Sequence, residues 1–143
     1  MTKYSNLTAL GGRFLLASLF LMSGIGKIAA PVMTQGFIAS VGVPMPLAAY
    51  IGSVAIEVGG SLLLLFGYRT RGVAAALAVF SVLTAIFFHR NFVDQNQMIH
   101  FLKNIAIAGG LLQVMAFGGG AYSLDARRRS ATPYGLSAAA QQA

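Results

Sequence analysis

Apolar residues run along this chain in four long blocks, separated by short joints rich in proline, glycine or charge. A helix needs roughly 20 mostly apolar residues to cross the hydrocarbon core of a bilayer. The first block, residues 15–30, is bounded by Arg13 and stopped by Pro31. The second, 47–68, opens after Pro44 and Pro46, and the third, 72–88, lies between Arg71 and the His89-Arg90 pair. The fourth, 101–117, ends at Gly118-Gly119-Gly120. Four such helices in so short a chain leave no polar faces for water, which excludes a soluble bundle. The first block has Lys3 before it, as a secretory signal would. Lys27 directly before the small-residue stretch, Pro31 after it and the lack of a following polar domain argue that it is retained.

The joints set the topology. Arg69-Thr70-Arg71 is too short for anything but an antiparallel hairpin. Residues 31–46 are semi-apolar, with Val32, Met33, Phe37, Ile38 and Val41, and predict a short amphipathic helix in the interface. Residues 90–99 carry Asn91, Asp94, Gln95, Asn96 and Gln97 and predict a wet loop. The expected fold is all-α, an integral membrane antiparallel four-helix bundle spanning residues 1–125. Residues 126–143, basic and then Ala/Gln-rich, are expected to be a disordered tail.

Composition agrees. Of 143 residues 57% are hydrophobic and 9% charged, and mean hydropathy is +0.73. The net charge of +7 lacks the polar surface that nucleic-acid binding would need, so the lipid bilayer is the expected partner. Seven of the ten Lys and Arg (Lys3, Arg13, Arg69, Arg71, Arg127, Arg128, Arg129) fall on one side of the four spans, and three (Lys27, Arg90, Lys103) on the other. Positive charge concentrates on the cytoplasmic side, so both termini are expected there. The absence of cysteine excludes disulfides, thiolate metal sites and cysteine nucleophiles.

Helices associate in lipid through small residues that let backbones approach. Gly24, Gly59, Gly60, Gly109 and Gly110 are therefore expected at packing seams. Spans two and four also share a weak repeat: a double glycine followed by leucines, then Phe-Gly, at Phe66-Gly67 and Phe117-Gly118.

An ionisable residue within a span is costly and points to function. Glu57 lies near the middle of span two, roughly 15 Å from its outer end at 1.5 Å per residue. Lys27 and Lys103 are the cations available to it. His89, His100 and Asn104 fall in the same outer half, and His100, Lys103 and Asn104 share one helical face. These six residues predict an outward-facing polar pocket walled by spans two and four and closed by Lys27. The alternative is a structural ion pair, Glu57 with Lys27 or Lys103, that fixes helix register. The two histidines match no haem or metal-ligand spacing. Hydrogen bonding to a quinone, or a place at the loop edge, is the expected role, and no metal is expected. No phosphate-binding, hydrolase or dinucleotide motif occurs in the required context, so no catalytic residue is assigned.

Several short pieces occur in a fixed order: Gly24-Ile25-Gly26-Lys27, Gly42-Val43-Pro44, Glu57-Val58-Gly59-Gly60, Gly67 with Thr70-Arg71, Lys103-Asn104, Gly109-Gly110 and Tyr122-Ser123-Leu124-Asp125. Together, over residues 7–125, they resemble the DoxX family. The resemblance implies a small four-helix membrane protein of the bacterial or archaeal cytoplasmic membrane. It also implies association with membrane oxidoreductase complexes that handle thiosulfate, thiols or oxidative stress. Its polar positions carry over onto Lys27, Glu57, Lys103 and Asn104, whereas thiosulfate oxidation would need a second subunit. The leading expectation is an accessory or quinone-proximal subunit, partnered by other membrane subunits or by copies of itself. The alternatives are a small transporter or permeation protein using Glu57 and the lysines, and an assembly partner docking through its small-residue faces.

Overall fold

The computed structural model describes residues 3–131, and all their regular structure is helical. In chain order the elements are α1 (Lys3–Ala29), α2 (Pro31–Ser40), α3 (Pro46–Val54), a π-helical turn (Ala55–Gly59), α4 (Gly60–Phe66), α5 (Thr70–Phe88), α6 (Gln95–Phe117) and α7 (Leu124–Ala131). The segment from α3 through α4 is one continuous rod. With α1, α5 and α6 it makes four helices long and apolar enough to span a membrane. The rods alternate in direction. One end of the bundle gathers the start of α1, the α4–α5 joint and the end of α6 with α7. The other gathers Lys27, α2 and the α5–α6 joint.

Three boundaries differ from those the hydropathy implies. Helix α1 begins at Lys3, not near residue 15, and at 27 residues is roughly 40 Å long. Its charge at Arg13 does not stop it, because Nη1 and Nη2 of the guanidinium donate to protein carbonyls instead of water, although the buried Nε has no partner. Helix α6 begins at Gln95, so half of the expected wet loop is helical. There Asp94 caps it, its side chain accepting from the Asn96 backbone N–H at 2.9 Å. Residues 126–131, expected to be disordered, belong to α7; the remainder of that tail lies outside the described residues. The short helix expected between spans one and two forms as α2.

The core is thin, as suits a bundle whose outside meets lipid. Ala17, Phe20, Leu64, Ala74, Leu77, Ala78, Ala108 and Leu111 are buried together. Helix α5 packs along α6, α4 lies against α1 and α5, and α6 closes the ring on α1. Spans two and four are therefore diagonal, with α5 between them.

The end bearing the start of α1 and helix α7 is clamped. Gly67 ends α4 in the left-handed region (φ +69°), which costs a side chain dearly. A side chain there would also collide with the Arg13 guanidinium and Ser123. Arg13, 1% exposed, donates to the carbonyls of Leu64 and Leu65 (both 3.1 Å) and of Tyr122 (2.6 Å). It thus supplies a cation and donors to the orphan carbonyls at the end of α4. Asp125 caps the next helix. Its carboxylate accepts from the backbone N–H of Arg69 and Thr70 (both 2.8 Å) and from the Thr70 hydroxyl (2.7 Å), while its own N–H donates to the Gly67 carbonyl.

Candidate functional site: a cavity above a buried ion pair

At the opposite end α1 brings Lys27 one turn beyond Ser23, and both reach Glu57 on the π-helical turn. Lys27 Nζ donates to Glu57 Oε2 at 2.7 Å and to Oε1 at 2.9 Å, and Ser23 Oγ donates to Oε1 at 3.0 Å. Lys27 also donates to Ser23 Oγ (2.9 Å), which closes a three-membered polar ring. Glu57 is 4% exposed, whereas the Lys27 side chain keeps 26% of its surface open. The carboxylate is thus sunk and the ammonium stands at the rim.

The close approach depends on a glycine. A β-carbon on Gly24 would stand 2.7 Å from Val58 Cγ2 and 3.2 Å from Glu57 Cβ, so only a bare α1 backbone admits the widened π turn there. Such turns are rare and cluster at functional sites. Gly60 lies tight against Leu77 (3.1 Å), and Gly110 makes ordinary contact with Leu16 (3.9 Å). Gly59 and Gly109 have nothing within 4 Å of an added β-carbon.

Above the ion pair opens a cavity of about 700 Å³. Its walls come from α1, α2, α3 and α5, including Phe20, Phe37, Phe80 and Phe88. Of the expected walls, span two is present through Ala49, Ser53 and Glu57, but span four is corrected: α5 stands between those diagonal rods, and α6 contributes only Asn104. Helix α2 roofs the space. Its Phe37 ring packs on Phe88 of α5, centroids 5.4 Å apart, and its Ile38 is buried.

The polar lining is sparse and pointed. Besides Lys27, Glu57 and Ser23 it includes Ser53, Ser81 and Thr84. Ser53 and Thr84 use their hydroxyl protons on carbonyls of their own helices, at Tyr50 and Phe80. Ser81 differs: it is 1% exposed, yet its hydroxyl has no partner within the protein. A buried hydroxyl left alone is unfavourable by about 1–3 kcal/mol, and Ser81 is among the residues that line the cavity. Sequence reading missed it. The one available signal was the pair Ser81 and Thr84, three apart on one face of an otherwise apolar span.

The six expected residues separate. Lys27 and Glu57 meet at the floor, and His89 and Asn104 line the cavity. His89 Nδ1 lies 2.9 Å from Gln97 Oε1, and its ring stacks on that of His100, centroids 5.0 Å apart and 22° from parallel. His100 itself stands behind His89, outside the lining. Asn104 turns its amide to the His100 carbonyl (3.0 Å). Lys103 is exposed and absent from the cavity; the ion pair is made by Lys27. Among the described residues no cluster of three His, Asp or Glu could hold a metal.

A family model described as DoxX matches residues 8–90, which takes in the ion pair and all but one of the cavity's lining residues. Over 128 residues the chain is 39% identical to the inner membrane protein YqjF of Escherichia coli strain K12, covering 87% of this chain and 95% of that protein. It is 35% identical over 121 residues to the inner membrane protein YphA of the same organism, covering 80% and 86%. No solved structure matches.

Proposed function

The chain belongs to the DoxX family and is a multi-pass protein of the cytoplasmic membrane; from that premise we propose that it serves as a quinone-proximal, accessory subunit of a membrane oxidoreductase complex. One observation carries this reading: the cavity of about 700 Å³ has apolar, aromatic walls and a floor of charged and hydroxyl groups. Ligand sites of roughly 300–1,000 Å³ with that division bury a flat apolar body and orient it by a few polar contacts.

The residues present fit such a guest. A quinone ring is apolar on its faces and accepts hydrogen bonds at two oxygens. Lys27 Nζ, on giving up its bond to Ser23 Oγ, and the Ser81 hydroxyl would donate to it, with the aromatic side chains of α5 beside its ring. When bound, a quinone supplies two-electron redox chemistry at those oxygens. The chain's own part is to desolvate the ring, orient it and hold protons at Lys27 Nζ beside the carboxylate of Glu57. Both termini face the cytoplasm in this reading, because Arg69, Arg71 and Arg127–129 gather at the end opposite the cavity. The cavity then opens toward the outer leaflet.

Extraction of lipid-soluble compounds from protein purified in mild detergent tests the assignment. Near-stoichiometric quinone is expected from the wild type, and at least fivefold less from Ala49→Phe, which fills the cavity without touching the ion pair. An empty wild-type extract, together with no binding of added short-chain quinone, refutes the reading. Proteoliposome flux of a proton or small anion that Glu57→Gln abolishes would replace it with a permeation role.

A further inference from the structure

A second hollow, about 530 Å³, lies at the clamped end, just beyond the last apolar turns of α4, α5 and α6. Arg69, Arg71, Arg128 and Arg129 line it, against the single carboxylate of Asp125. That carboxylate, which also accepts from Thr70 and from two backbone N–H groups, can offset one positive charge, so the four guanidiniums leave the cleft with a net positive charge. The floor is bare: Gly72 has open space around it, and Gly118 adopts a backbone (φ +81°) that keeps a side chain from standing against Arg71.

We propose that this cleft binds a phosphate-bearing anion, either the headgroup of an anionic phospholipid or free phosphate. Arginine is the side chain best matched to phosphate, with a planar fork that donates two parallel hydrogen bonds. Depth suits the ligand as well, since the cleft begins where the membrane-spanning helices end, at the level of lipid headgroups. Arg69 holds a left-handed backbone (φ +46°), uncommon for a residue with a side chain. Asp125 fixes it there by taking its N–H, which places the side chain on the cleft. Arg128 lies over the Tyr68 ring, 5.3 Å from its centroid. Hydrogen bonding from Arg128 and the charges of Arg128 and Arg69 hold the Tyr68 phenol below its ordinary pKa, a mark of excess positive potential at this edge. Topology alone asks for positive charge on this side of the membrane. It does not ask for four guanidiniums around one hollow.

The test uses the full chain in neutral detergent and measures its unfolding midpoint at constant ionic strength. Phosphatidylglycerol, phosphatidylcholine and inorganic phosphate are added separately. Phosphatidylglycerol is expected to raise the midpoint at a concentration at least fivefold below that of phosphatidylcholine. Arg71→Gln with Arg129→Gln should abolish that preference, while Arg127→Gln, outside the cleft, should keep it. A phosphate response matching that of the lipid assigns free phosphate; a response to phosphatidylglycerol alone assigns the headgroup. Should the double variant fail to fold, native mass spectrometry of the wild type and of Arg71→Lys decides. Retained phosphatidylglycerol on the wild type, with at least fivefold less on the variant, supports the site. Equal responses to the two lipids, an unchanged response or equal retention in the cleft variants, or an equal loss in Arg127→Gln overturns it.

Discussion

Removing one partner of the Lys27–Glu57 pair should be far more damaging than removing both. At 2.7 Å, Coulomb attraction is roughly 6 kcal/mol for an effective dielectric of about 20 and roughly 1.5 kcal/mol for one of about 80. Desolvation of two charges offsets much of this, so the pair itself contributes little net stability, but a widowed charge is expensive. Lys27→Met leaves a carboxylate that is 4% exposed with Ser23 as its remaining donor, and should cost about 3–5 kcal/mol. Glu57→Gln should cost less, about 1–2 kcal/mol: the new amide keeps an oxygen for Ser23, and Lys27, already 26% open, can extend to the interface. The double variant should lose less than the sum, with a coupling energy of about 1–3 kcal/mol. Unfolding by sodium dodecyl sulfate titration in mixed micelles, followed by loss of helicity, measures all four corners of the cycle. Additive losses, with coupling below about 0.5 kcal/mol, would show that the two groups are not held as an ion pair and would remove the charged floor from the cavity.

Two further perturbations probe the seam and the clamp. Gly24→Ala should destabilise by about 1–3 kcal/mol, because its methyl meets a β-branched side chain and a backbone-linked carbon, neither of which can swing aside. Gly26→Ala, with nothing within 4 Å, should be neutral or slightly stabilising in the same titration, and equal losses would dismiss the close-approach account. At the other end, burial alone would raise the Asp125 carboxyl, but hydrogen bonds from Thr70 and Arg69 and the charge of Arg129 hold it below its ordinary value. A carboxylate depressed by folding stabilises at neutral pH, and the contribution disappears as pH falls below about 4 through the folded-state value. Wild-type midpoints should therefore drop in acid more steeply than those of Asp125→Asn, and parallel curves would contradict the capping role.

The spans and the family were legible because period and length act locally, and a bilayer punishes any unpaired backbone group. Glu57 was legible for the same reason: a carboxylate in an apolar run demands a partner, and few cations lie within reach. Its choice of Lys27 over Lys103 was not legible. That choice follows from α1 lying against the π turn through Gly24 while α6 stands on the diagonal, a matter of packing order around the ring. Arg13 reads as a boundary charge in sequence, because burial by carbonyls 51 and 52 residues away leaves no local trace. The walls of the cavity were misplaced for a related reason. Hydropathy says that residues 31–40 are apolar, but not that Phe37 reaches Phe88 and turns an interfacial helix into a roof.

The chain has three carboxylates besides its terminus, and their placement divides the molecule into a fixed end and an open one. Asp94 caps α6 and Asp125 caps α5; both satisfy helix N-termini just outside the spans. Each does what a neutral Ser or Asn does at many helix starts. Glu57 caps nothing. It sits in mid-helix on a turn whose backbone is already widened, where a neutral or apolar side chain would carry no desolvation cost. Helix capping therefore explains two acids and not the third. At the clamped end Arg13, Asp125 and Gly67 tie three helix ends together with backbone-directed bonds, and at the other the Lys27–Glu57 pair meets open space with a lone hydroxyl at Ser81. A dense set of backbone-directed bonds at one end and a charged pair facing a cavity at the other is the arrangement expected of a binding site held by a stiff base. It makes the cavity floor, more than any loop, the place where a change of one atom should alter what the protein holds.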